Sequence, residues 1–434
     1  MSEPFVHAEP ARLDEVDSPA QRRTVRVLSL GQVLGGVGVG IGIAVGGLLA
    51  EQLADTESVA GLAQTASVIG SAVLAVPASR LMSRAGRRPG LVASYAVAVV
   101  GCVTVVLAAV LGSFVLMLPG MFLFGAGTTA GLQARYAATD LASPRRRGTA
   151  LSIVVWATTI GAVLGPNLAD PSGNVAVSVG LPRLAGAFVV AAALLALAAV
   201  AVSILLRPDP LLLARELSGP EAAPTAATSV RVALRVVVST VDGRLGLTAM
   251  AVSHSVMVGV MVLTPVHLGH GGATLSVIGI VISVHIAGMY AFSPIVGGLA
   301  DHVGRRPVVL AGALILAGAL VVAGTAPAGA ALQLGIGLFL IGAGWSCGLI
   351  AGSTMVTESV PITIRPQAQG ATDLVMGLSA GAAGALAGPI VDGLGYAALN
   401  AAAGLLLVPL LVLAVRAGRS TRSSRRVSPG RGTA

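Results

Sequence analysis

The sequence has little charge, few aromatic residues and almost no cysteine. Only 10% of its 434 residues are charged, whereas soluble domains carry about 25%. This shortage excludes an ordinary soluble protein. The two cysteines, Cys102 and Cys347, are too few for a disulfide framework. Lysine is absent, so all 27 basic residues are arginine, and the net charge is +9.

Apolar residues make up 55% of the chain and gather in long runs. Each run has about 20 residues, enough to cross a bilayer as a helix. Glycine and alanine are abundant inside the runs, as expected where membrane helices pack closely. The sequence therefore predicts an all-α membrane protein with twelve transmembrane helices. Their predicted positions are about 27–50, 58–82, 89–111, 114–139, 149–169, 183–206, 245–266, 274–297, 308–326, 330–356, 368–390 and 395–415.

The arginines are distributed unevenly between the two sides of the predicted membrane. With a cytoplasmic N-terminus, all but two of the 27 arginines fall in cytoplasmic tails, loops or helix flanks, and the exceptions are Arg135 and Arg183. The positive-inside rule therefore predicts that both termini are cytoplasmic. The first helix is too long for a cleavable signal peptide. We interpret the basic tail, 416–431, as a topology signal or a contact with anionic lipid, and not as a nucleic-acid site.

Three short motifs recur in the two halves of the chain. Gly-Arg-Arg-Pro follows the second predicted helix and again the eighth, GMFLFGAG in helix 4 matches GLFLIGAG in helix 10, and GAVLGP in helix 5 matches GALAGP in helix 11. Many secondary transporters are built from such repeats, with the solute site between the halves. The predicted regions are a cytoplasmic tail (1–26), a six-helix bundle (27–206), a cytoplasmic linker (207–244), a second six-helix bundle (245–415) and a basic cytoplasmic tail (416–434).

The repeated loops resemble those of the major facilitator superfamily, whose loop motif is Gly-x-Leu-Ala-Asp-Arg-x-Gly-Arg-Arg. The second copy has His302 in place of the first Arg, whereas the first copy has Ser79 and Ser83 in place of Gly and Asp. The resemblance implies the major facilitator fold of two pseudo-symmetric six-helix bundles. It also implies that the loops clamp neighbouring helix ends and switch between outward-open and inward-open states, with Asp140 and Glu358 as predicted partners. The implicated loop residues are Arg84, Gly86, Arg87, Arg88, Asp301, Gly304, Arg305 and Arg306.

Half of the ten methionines and six histidines lie within residues 244–298. Met257 and Met261 share one face of helix 7, and His285 and Met289 share one face of helix 8, because each pair is four residues apart. Counted from the outer helix ends, Met257 and His285 both lie about 14–15 Å deep, near the midplane. Thioether sulfur with imidazole is suited to soft Cu(I) rather than to hard ions such as Mg²⁺. These four residues predict a metal site between helices 7 and 8.

The Met-x-x-x-Met and His-x-x-x-Met motifs resemble those of the CcoA-type copper importers within the superfamily. The resemblance implies copper uptake across a bacterial plasma membrane, with copper as the transported substrate. We expect no enzyme activity, since no P-loop or other catalytic signature occurs. We also expect no resident cofactor, no nucleic-acid partner and a monomer in membrane lipid. Additional candidates for binding metal or protons are His254, Cys347, His267, His270 and Asp373.

Several alternatives stay open at this point. His254 is either a ligand or a hydrogen-bonded structural residue, Asp373 either couples protons or pairs with an arginine, and Cys347 is either a soft ligand or a packing residue. GAVLGP resembles part of the proton-antiporter motif, which would fit proton-coupled efflux of drugs or metabolites. Met121 replaces the arginine that is common in helix 4 of such pumps, which weakens this hypothesis. Uptake of a small organic solute such as riboflavin is a third hypothesis for the function. The low aromatic content of 3% weakens it.

Overall fold

All regular secondary structure in the described residues is helical. The computed structural model describes residues 18–54, 60–219 and 229–426, which form fifteen α-helices and no β-strand. The helices are α1 Pro19–Ala54, α2 Ala60–Ala85, α3 Arg87–Leu111, α4 Phe114–Ala137, α5 Arg147–Asn167, α6 Ala169–Ser178, α7 Ala185–Leu205, α8 Pro210–Leu217, α9 Val230–Ser239, α10 Val241–His270, α11 Leu275–Tyr290, α12 Ser293–His302, α13 Arg305–Gly324, α14 Ala331–Glu358 and α15 Arg365–Arg426.

Most of these helices are long and apolar enough to cross a membrane. Within the described chain, eleven helical stretches meet both conditions, and the last, Arg365–Arg416, is long enough to cross twice. Gly395 divides that stretch with a φ of 85°, a left-handed conformation that glycine adopts without a Cβ clash. Val115 and Leu332 are 78% and 81% exposed on the outer surface, as expected of residues facing lipid. The prediction of an all-α protein with twelve transmembrane helices is confirmed.

Two apolar cores divide the helices into two bundles. One core extends from Val27 on α1 to Leu206 at the end of α7. The other is built mainly from α10 to α15, and Tyr136 and Leu151 of the first half pack against it. The cores correspond to the two six-helix bundles of the predicted fold. Residues from α4 and α5 thus contribute to the contact between the bundles.

The ends of the predicted regions contain further helix. α1 begins at Pro19, within the predicted tail 1–26, and α15 continues to Arg426, within the predicted tail 416–434. The predicted linker 207–244 includes α8 and α9. The remaining parts of these regions, 1–17, 220–228 and 427–434, lie outside the described residues.

Glycines bring α1 and α5 into close backbone contact. A Cβ placed on Gly161 would lie 2.5 Å from the backbone carbon of Gly36, and one on Gly165 would lie 2.8 Å from that of Gly40. Neither position has room for a side chain. The two glycines of the GAVLGP motif therefore have a packing role, typical of small residues between membrane helices.

The two bundles meet at one end of the molecule, which carries the α2–α3 and α12–α13 loops. This end is called the arginine-rich face. α2 packs against α15, where the small residues Ala72 and Ser79 meet Gly377 and Gly370, and this contact is the α2–α15 seam. α5 packs against α12, which is the α5–α12 seam. The two seams close the molecule at this face, which the arginine distribution predicts to be cytoplasmic, and together they are called the inner gate.

Candidate solute site and inner gate

His285 on α11 is a buried imidazole with one free nitrogen. Its Nδ1 lies 2.7 Å from the carbonyl oxygen of Leu338 on α14. A carbonyl can only accept a hydrogen bond, so in the neutral ring Nδ1 carries the proton and Nε2 keeps its lone pair. Nε2 has no hydrogen-bond partner among the described residues. A backbone carbonyl that orients the ring and leaves Nε2 free is the usual arrangement of a metal-ligating histidine.

His254 on α10 differs from His285 because its lone pair is already used. Trp345 on α14 donates a hydrogen bond from Nε1 to Nδ1 of His254 at 2.8 Å. An indole N–H can only donate, so Nδ1 is the acceptor and the proton of the neutral ring lies on Nε2. This tautomer leaves no free lone pair. The contact favours the structural interpretation of His254 over the ligand interpretation.

Trp345 also relates the heights of α10 and α11. Its ring lies 5.5 Å, centroid to centroid, from the ring of Tyr290 on α11, and its Nε1 bonds to His254 on α10. At 1.5 Å per residue, Met257 lies about 4.5 Å farther from the arginine-rich face than His254. His285 lies about 7.5 Å farther from that face than Tyr290. The two ligand pairs therefore lie at similar depths in the bundle.

The lateral arrangement differs from the one assumed from the sequence. α14 packs extensively against both α10 and α11, whereas these two helices touch each other little. α10 (predicted helix 7) and α11 (the first part of predicted helix 8) are therefore joined mainly through α14, with few contacts of their own. Met257 and Met289 are buried, and Met261 is partly buried. A solute held by both pairs would therefore lie beside α14.

The other candidates with nitrogen or sulfur ligands do not gather around these four residues. Cys347 packs against α13, where a Cβ placed on Gly312 would lie 2.6 Å from the Cβ of Cys347. His267 stacks on Tyr396 with 4.2 Å between the ring centroids, far along α10 from the arginine-rich face. His270 is exposed at the end of α10. Packing accounts for Cys347 and His267, of which His267 is partly exposed, and His270 is the fully exposed member of the three.

Asp373 on α15 has an arginine partner, which is one of the two alternatives that the sequence leaves open. Arg135 on α4 lies with Nη2 at 2.6 Å from Oδ1 of Asp373, and neither side chain is more than 2% exposed. Gln133 donates from Nε2 to Oδ2 at 2.9 Å, and the Tyr136 hydroxyl lies 3.4 Å from Oδ1. These four residues form the central polar cluster. It joins the two bundles in the interior of the molecule.

Sequence reasoning missed three members of this cluster. The topology pattern marks Arg135 only as one of its two exceptions, and no sequence motif assigns a role to Gln133 or Tyr136. The available signal was the polar run Gln133-Ala134-Arg135-Tyr136 within an apolar helix. Charged residues inside membrane helices are costly and usually functional. This run therefore indicates a functional position as strongly as Asp373 does.

Asp301 on α12 closes the α5–α12 seam by capping a helix of the other bundle. It accepts hydrogen bonds from the backbone nitrogen of Gly148 at 2.9 Å and from the nitrogen and Oγ1 of Thr149, both at 2.7 Å. These N–H groups belong to the first turn of α5, whose own N-cap residue gives it no side-chain cap. Arg305 lies 3.1 Å from both Asp301 and Glu358. The prediction that Glu358 contacts a clamp loop is confirmed.

The α2–α15 seam has no acidic residue in the equivalent place. Ser83 occupies it, and its hydroxyl accepts a hydrogen bond from Nε2 of Gln367 on α15. Arg87 is fully buried and donates from Nε to Asp140 at 2.7 Å and from Nη2 to Gln369 on α15 at 2.7 Å. The predicted contact of Asp140 with the loop is confirmed. Arg87 thus bonds to residues of both bundles.

The remaining loop residues act within one bundle or at its surface. Gly86 and Gly304 have φ values of 96° and 105° and stand immediately before α3 and α13. Glycine suits both positions because it has no Cβ to strain the left-handed conformation. Arg306 pairs with Asp242 at 2.7 Å, and Arg84 is exposed.

The linker helix α8 attaches to both sides of the α2–α15 seam. Asp209 accepts a hydrogen bond from the backbone nitrogen of Arg88 at 2.7 Å and so caps α3. Arg215 is 6% exposed and donates to the carbonyl of Ser83 at 2.8 Å. It also donates to the carbonyl of Thr363, just before α15, at 3.4 Å. One guanidinium therefore contacts both bundles.

Two six-helix bundles in a membrane, joined at one face by repeated loops, define a multi-pass transporter. The family model described as "Major Facilitator Superfamily" matches residues 28–272 and 247–433, which together span most of the chain. This chain belongs to the major facilitator superfamily of secondary transporters. Its substrate is not defined by the family.

Curated relatives extend over nearly the whole chain. The chain is 40% identical over 399 residues to "Uncharacterized MFS-type transporter YdeG" of Bacillus subtilis, covering 90% of this chain and 91% of that protein. It is 27% identical over 415 residues to "Riboflavin transporter RfnT" of Brucella anthropi, covering 91% and 97%. Among solved structures, that of the human organic anion transporter MFSD10 has a TM-score of 0.73 at 18% identity, covering 92% of this chain and 100% of that one. At this identity the structural likeness supports the fold alone.

Proposed function

We propose that this chain imports copper across the plasma membrane of a bacterium by alternating access. Copper is the transported substrate, and Met257, Met261, His285 and Met289 bind it. The superfamily accounts for secondary transport, and the closed arginine-rich face accounts for loading from outside, with both termini in the cytoplasm as the charge distribution predicts. The observation that carries the choice of substrate is the free Nε2 of His285.

An unpartnered nitrogen is expensive in a buried site. His285 is fully buried, and a buried acceptor without a partner costs on the order of 1–3 kcal/mol. A bound metal ion would satisfy this lone pair, and the hydrogen bond to Leu338 already holds the ring in the required tautomer. The thioether of Met289 lies one turn along the same helix face.

The composition of the ligand set suits transport. Thioether and imidazole ligands favour Cu(I), whereas the set contains no thiolate or carboxylate that would hold the ion more firmly. Weak binding permits release when the bundles rock. Arg135 carries a positive charge on the side of the site toward the arginine-rich face, so a cation is better accommodated near His285 than near the central polar cluster.

Radiolabelled copper uptake into cells and proteoliposomes tests the proposal. His285→Ala and Met257→Leu should each lower uptake at least about tenfold, since even outer residues of metal sites have effects of this size. Met117→Leu is the matched control, because Met117 is equally buried but lies on α4 in the other bundle. Each variant must be present in the membrane at the wild-type level. Wild-type uptake in both site variants would refute the assignment of these residues.

Uptake of an organic solute is the second candidate, favoured by the likeness to the transporter named for riboflavin. The rings of His254, Trp345 and Tyr290 also form one aromatic group next to the proposed copper site, on its side toward the arginine-rich face. Labelled riboflavin should be tested in the same vesicles. Riboflavin uptake that is lost in Trp345→Ala, with no copper uptake in the wild type, would favour this candidate. A changed drug sensitivity without uptake of either solute would favour efflux.

A further inference from the structure

Arg365, the first residue of α15, is a buried guanidinium without an ion-pair partner among the described residues. It is 8% exposed, and its buried Nε has no hydrogen-bond partner among them. The nearby acidic residues are bonded elsewhere, since Asp140 lies 2.7 Å from Arg87 and Glu358 lies 3.1 Å from Arg305. A buried charge is tolerated when it is paired and hydrogen-bonded. The charge of Arg365 therefore lacks direct compensation.

A comparison of the two seams explains why this arginine is left over. At the α5–α12 seam, Asp301 brings a carboxylate to the first turn of α5, immediately after Arg147. At the α2–α15 seam, Ser83 stands in the equivalent place and accepts a hydrogen bond from Gln367, two residues after Arg365. A serine carries no charge. The first turn of α15 therefore lacks the negative charge that the first turn of α5 receives.

The surroundings of Arg365 add further positive charge. Arg87 and Arg147 of the first bundle lie within electrostatic reach of it, together with Asp140 and Glu358. Arg147 makes only a long contact of 3.7 Å with Glu358, and its own buried Nε has no hydrogen-bond partner in the described chain. Arg147 and Arg365 thus provide unused N–H donors at the starts of two helices from opposite bundles.

A phosphate group has the chemistry to bind between two such arginines. Guanidinium groups form charge-assisted, often bidentate hydrogen bonds with phosphate oxygens. Phosphate also carries more than one negative charge near neutral pH and has enough acceptor oxygens for two arginines. Chloride and a single carboxylate carry only one charge each. A phosphate-type oxyanion is therefore the best match to this pair of like charges.

We propose that Arg365 and Arg147 form a binding site for a soluble phosphate-type oxyanion, and that this anion holds the inner gate closed. The anion joins the starts of α5 and α15, so it binds while the two bundles are together at the arginine-rich face. The predicted topology places the site in contact with the cytoplasm. Cytoplasmic phosphate would then favour the state that loads from outside. The inference goes beyond copper transport and does not depend on which solute is carried.

Titration calorimetry measures phosphate binding directly. The protein is held in phosphatidylcholine nanodiscs without copper, in chloride buffer of matched ionic strength. The parent protein should bind phosphate saturably. Arg365→Gln should weaken binding at least about tenfold, because hydrogen bonds between charged groups are among the strong ones. Arg84→Gln removes the same charge from an exposed position in the last turn of α2 and should bind phosphate as the parent does.

Ser83→Asp tests the site without removing an arginine, and it remains informative if Arg365→Gln fails to fold. The new carboxylate would stand where Asp301 stands in the other seam and would compensate Arg365 from within the protein. Phosphate binding should therefore weaken at least about tenfold. Ser83→Asn is the neutral control of similar size and should bind as the parent does. An equal loss in Ser83→Asn would overturn the electrostatic explanation.

Spin labels show whether the anion closes the gate. Ala85 and Val303 are exposed on opposite bundles at the arginine-rich face, so labels on Ala85→Cys and Val303→Cys report their separation. Cys102 and Cys347 are first replaced by alanine. With phosphate at about ten times its Kd, the ratio of the shorter to the longer distance should rise by up to about elevenfold, the limit for a ligand that binds only the closed form.

Several results would overturn the proposal. They are the absence of saturable phosphate binding in the parent, undiminished binding in either Arg365→Gln or Ser83→Asp, and binding that leaves the ratio of distances unchanged. A gate that responds to phosphatidylglycerol in the nanodisc but not to dissolved phosphate would overturn the choice of a soluble anion. Because no copper is present, failure here leaves the copper proposal standing, and the reverse also holds.

Discussion

The two seams of the inner gate have the same position but different chemistry. At the α5–α12 seam, the carboxylate of Asp301 caps a helix of the other bundle and pairs with Arg305. At the α2–α15 seam, the neutral Ser83 and Gln367 meet, and Arg87 reaches across to Gln369. Arg215 of α8 also contacts both sides of this seam. One seam therefore relies on a charged helix cap, whereas the other relies on amide groups and buried arginines.

The packing of the seams shows how a motif can change on one side and be compensated on the other. The motif glycine of the second copy, Gly297, faces Ser152, and a Cβ on it would lie 2.2 Å from the Ser152 Oγ. In the first copy, Ser79 stands in the glycine place and faces Gly370, where a Cβ would lie 2.3 Å from the Ser79 Oγ. Each seam thus pairs one serine of the first bundle with one glycine of the second, but the serine lies on the partner helix α5 in one seam and on the motif helix α2 in the other. The loss of the motif glycine does not loosen the α2–α15 seam.

Among the substitutions that test this comparison, removal of Arg87 should lower the stability of the protein most. Arg87→Ala leaves the buried carboxylate of Asp140 without its pair and Gln369 without its donor. The free energy of unfolding should fall by about 4 kcal/mol, as when one partner of a buried pair is removed. Denaturing-detergent titrations of the purified protein measure this change. Arg84→Ala is the control, because Arg84 is exposed in the last turn of α2, and it should change stability by less than about 0.5 kcal/mol.

Neutralising Asp301 should have a smaller effect. Asp301→Asn keeps one acceptor oxygen but weakens the charged cap on Gly148 and Thr149. We expect the free energy of unfolding to fall by about 2–3 kcal/mol, since hydrogen bonds to a charged group are worth about 1.5–3 kcal/mol. The same titration measures it, with Glu51→Gln on the partly exposed end of α1 as a control for loss of one acidic charge. Equal stability in Asp301→Asn and the wild type would show that the charge does not strengthen the α5–α12 seam.

The serine–glycine contact at the α2–α15 seam can be tested by a smaller change. Gly370→Ala should destabilise the closed gate by about 1–3 kcal/mol, the usual cost of overpacking. Adding Ser79→Gly removes the clashing hydroxyl and should recover part of that loss. Spin-label distances across the arginine-rich face, together with unfolding titrations, measure both effects. If the double variant were as unstable as Gly370→Ala alone, the clash would lie with the backbone of Ala75, whose oxygen is 2.8 Å from the added Cβ.

Much of the fold could be predicted because membrane helices are encoded locally. Apolar runs of sufficient length predicted the helices, and the two Gly-Arg-Arg-Pro loops predicted the repeat of two bundles. The contacts of Asp140 and Glu358 could also be predicted, since acidic residues at helix ends have few partners other than the loop arginines. Which helices pack against each other was harder to predict. Consecutive helices α10 and α11 suggested an extensive direct contact, but each packs mainly against α14 and they touch each other little.

The candidate site shows the same limit at the level of single atoms. The spacing of Met257, Met261, His285 and Met289 identified two helix faces, and their counted depths agreed with the anchor at Trp345. Spacing could not distinguish His254 from His285, because the tautomer of each ring depends on a partner distant in the chain. Trp345 donates to one ring, whereas the carbonyl of Leu338 accepts from the other.

The sequence by itself determined that this protein is a helical membrane transporter of repeated halves, since hydropathy, arginine placement and loop motifs are properties of short segments. Tertiary structure alone decided that Arg135 and Asp373 form one pair, because they are 238 residues apart. It also decided which histidine keeps a free nitrogen and which seam carries the charged cap. These outcomes depend on which groups share a buried space, where a charge or a donor must find a partner from another helix.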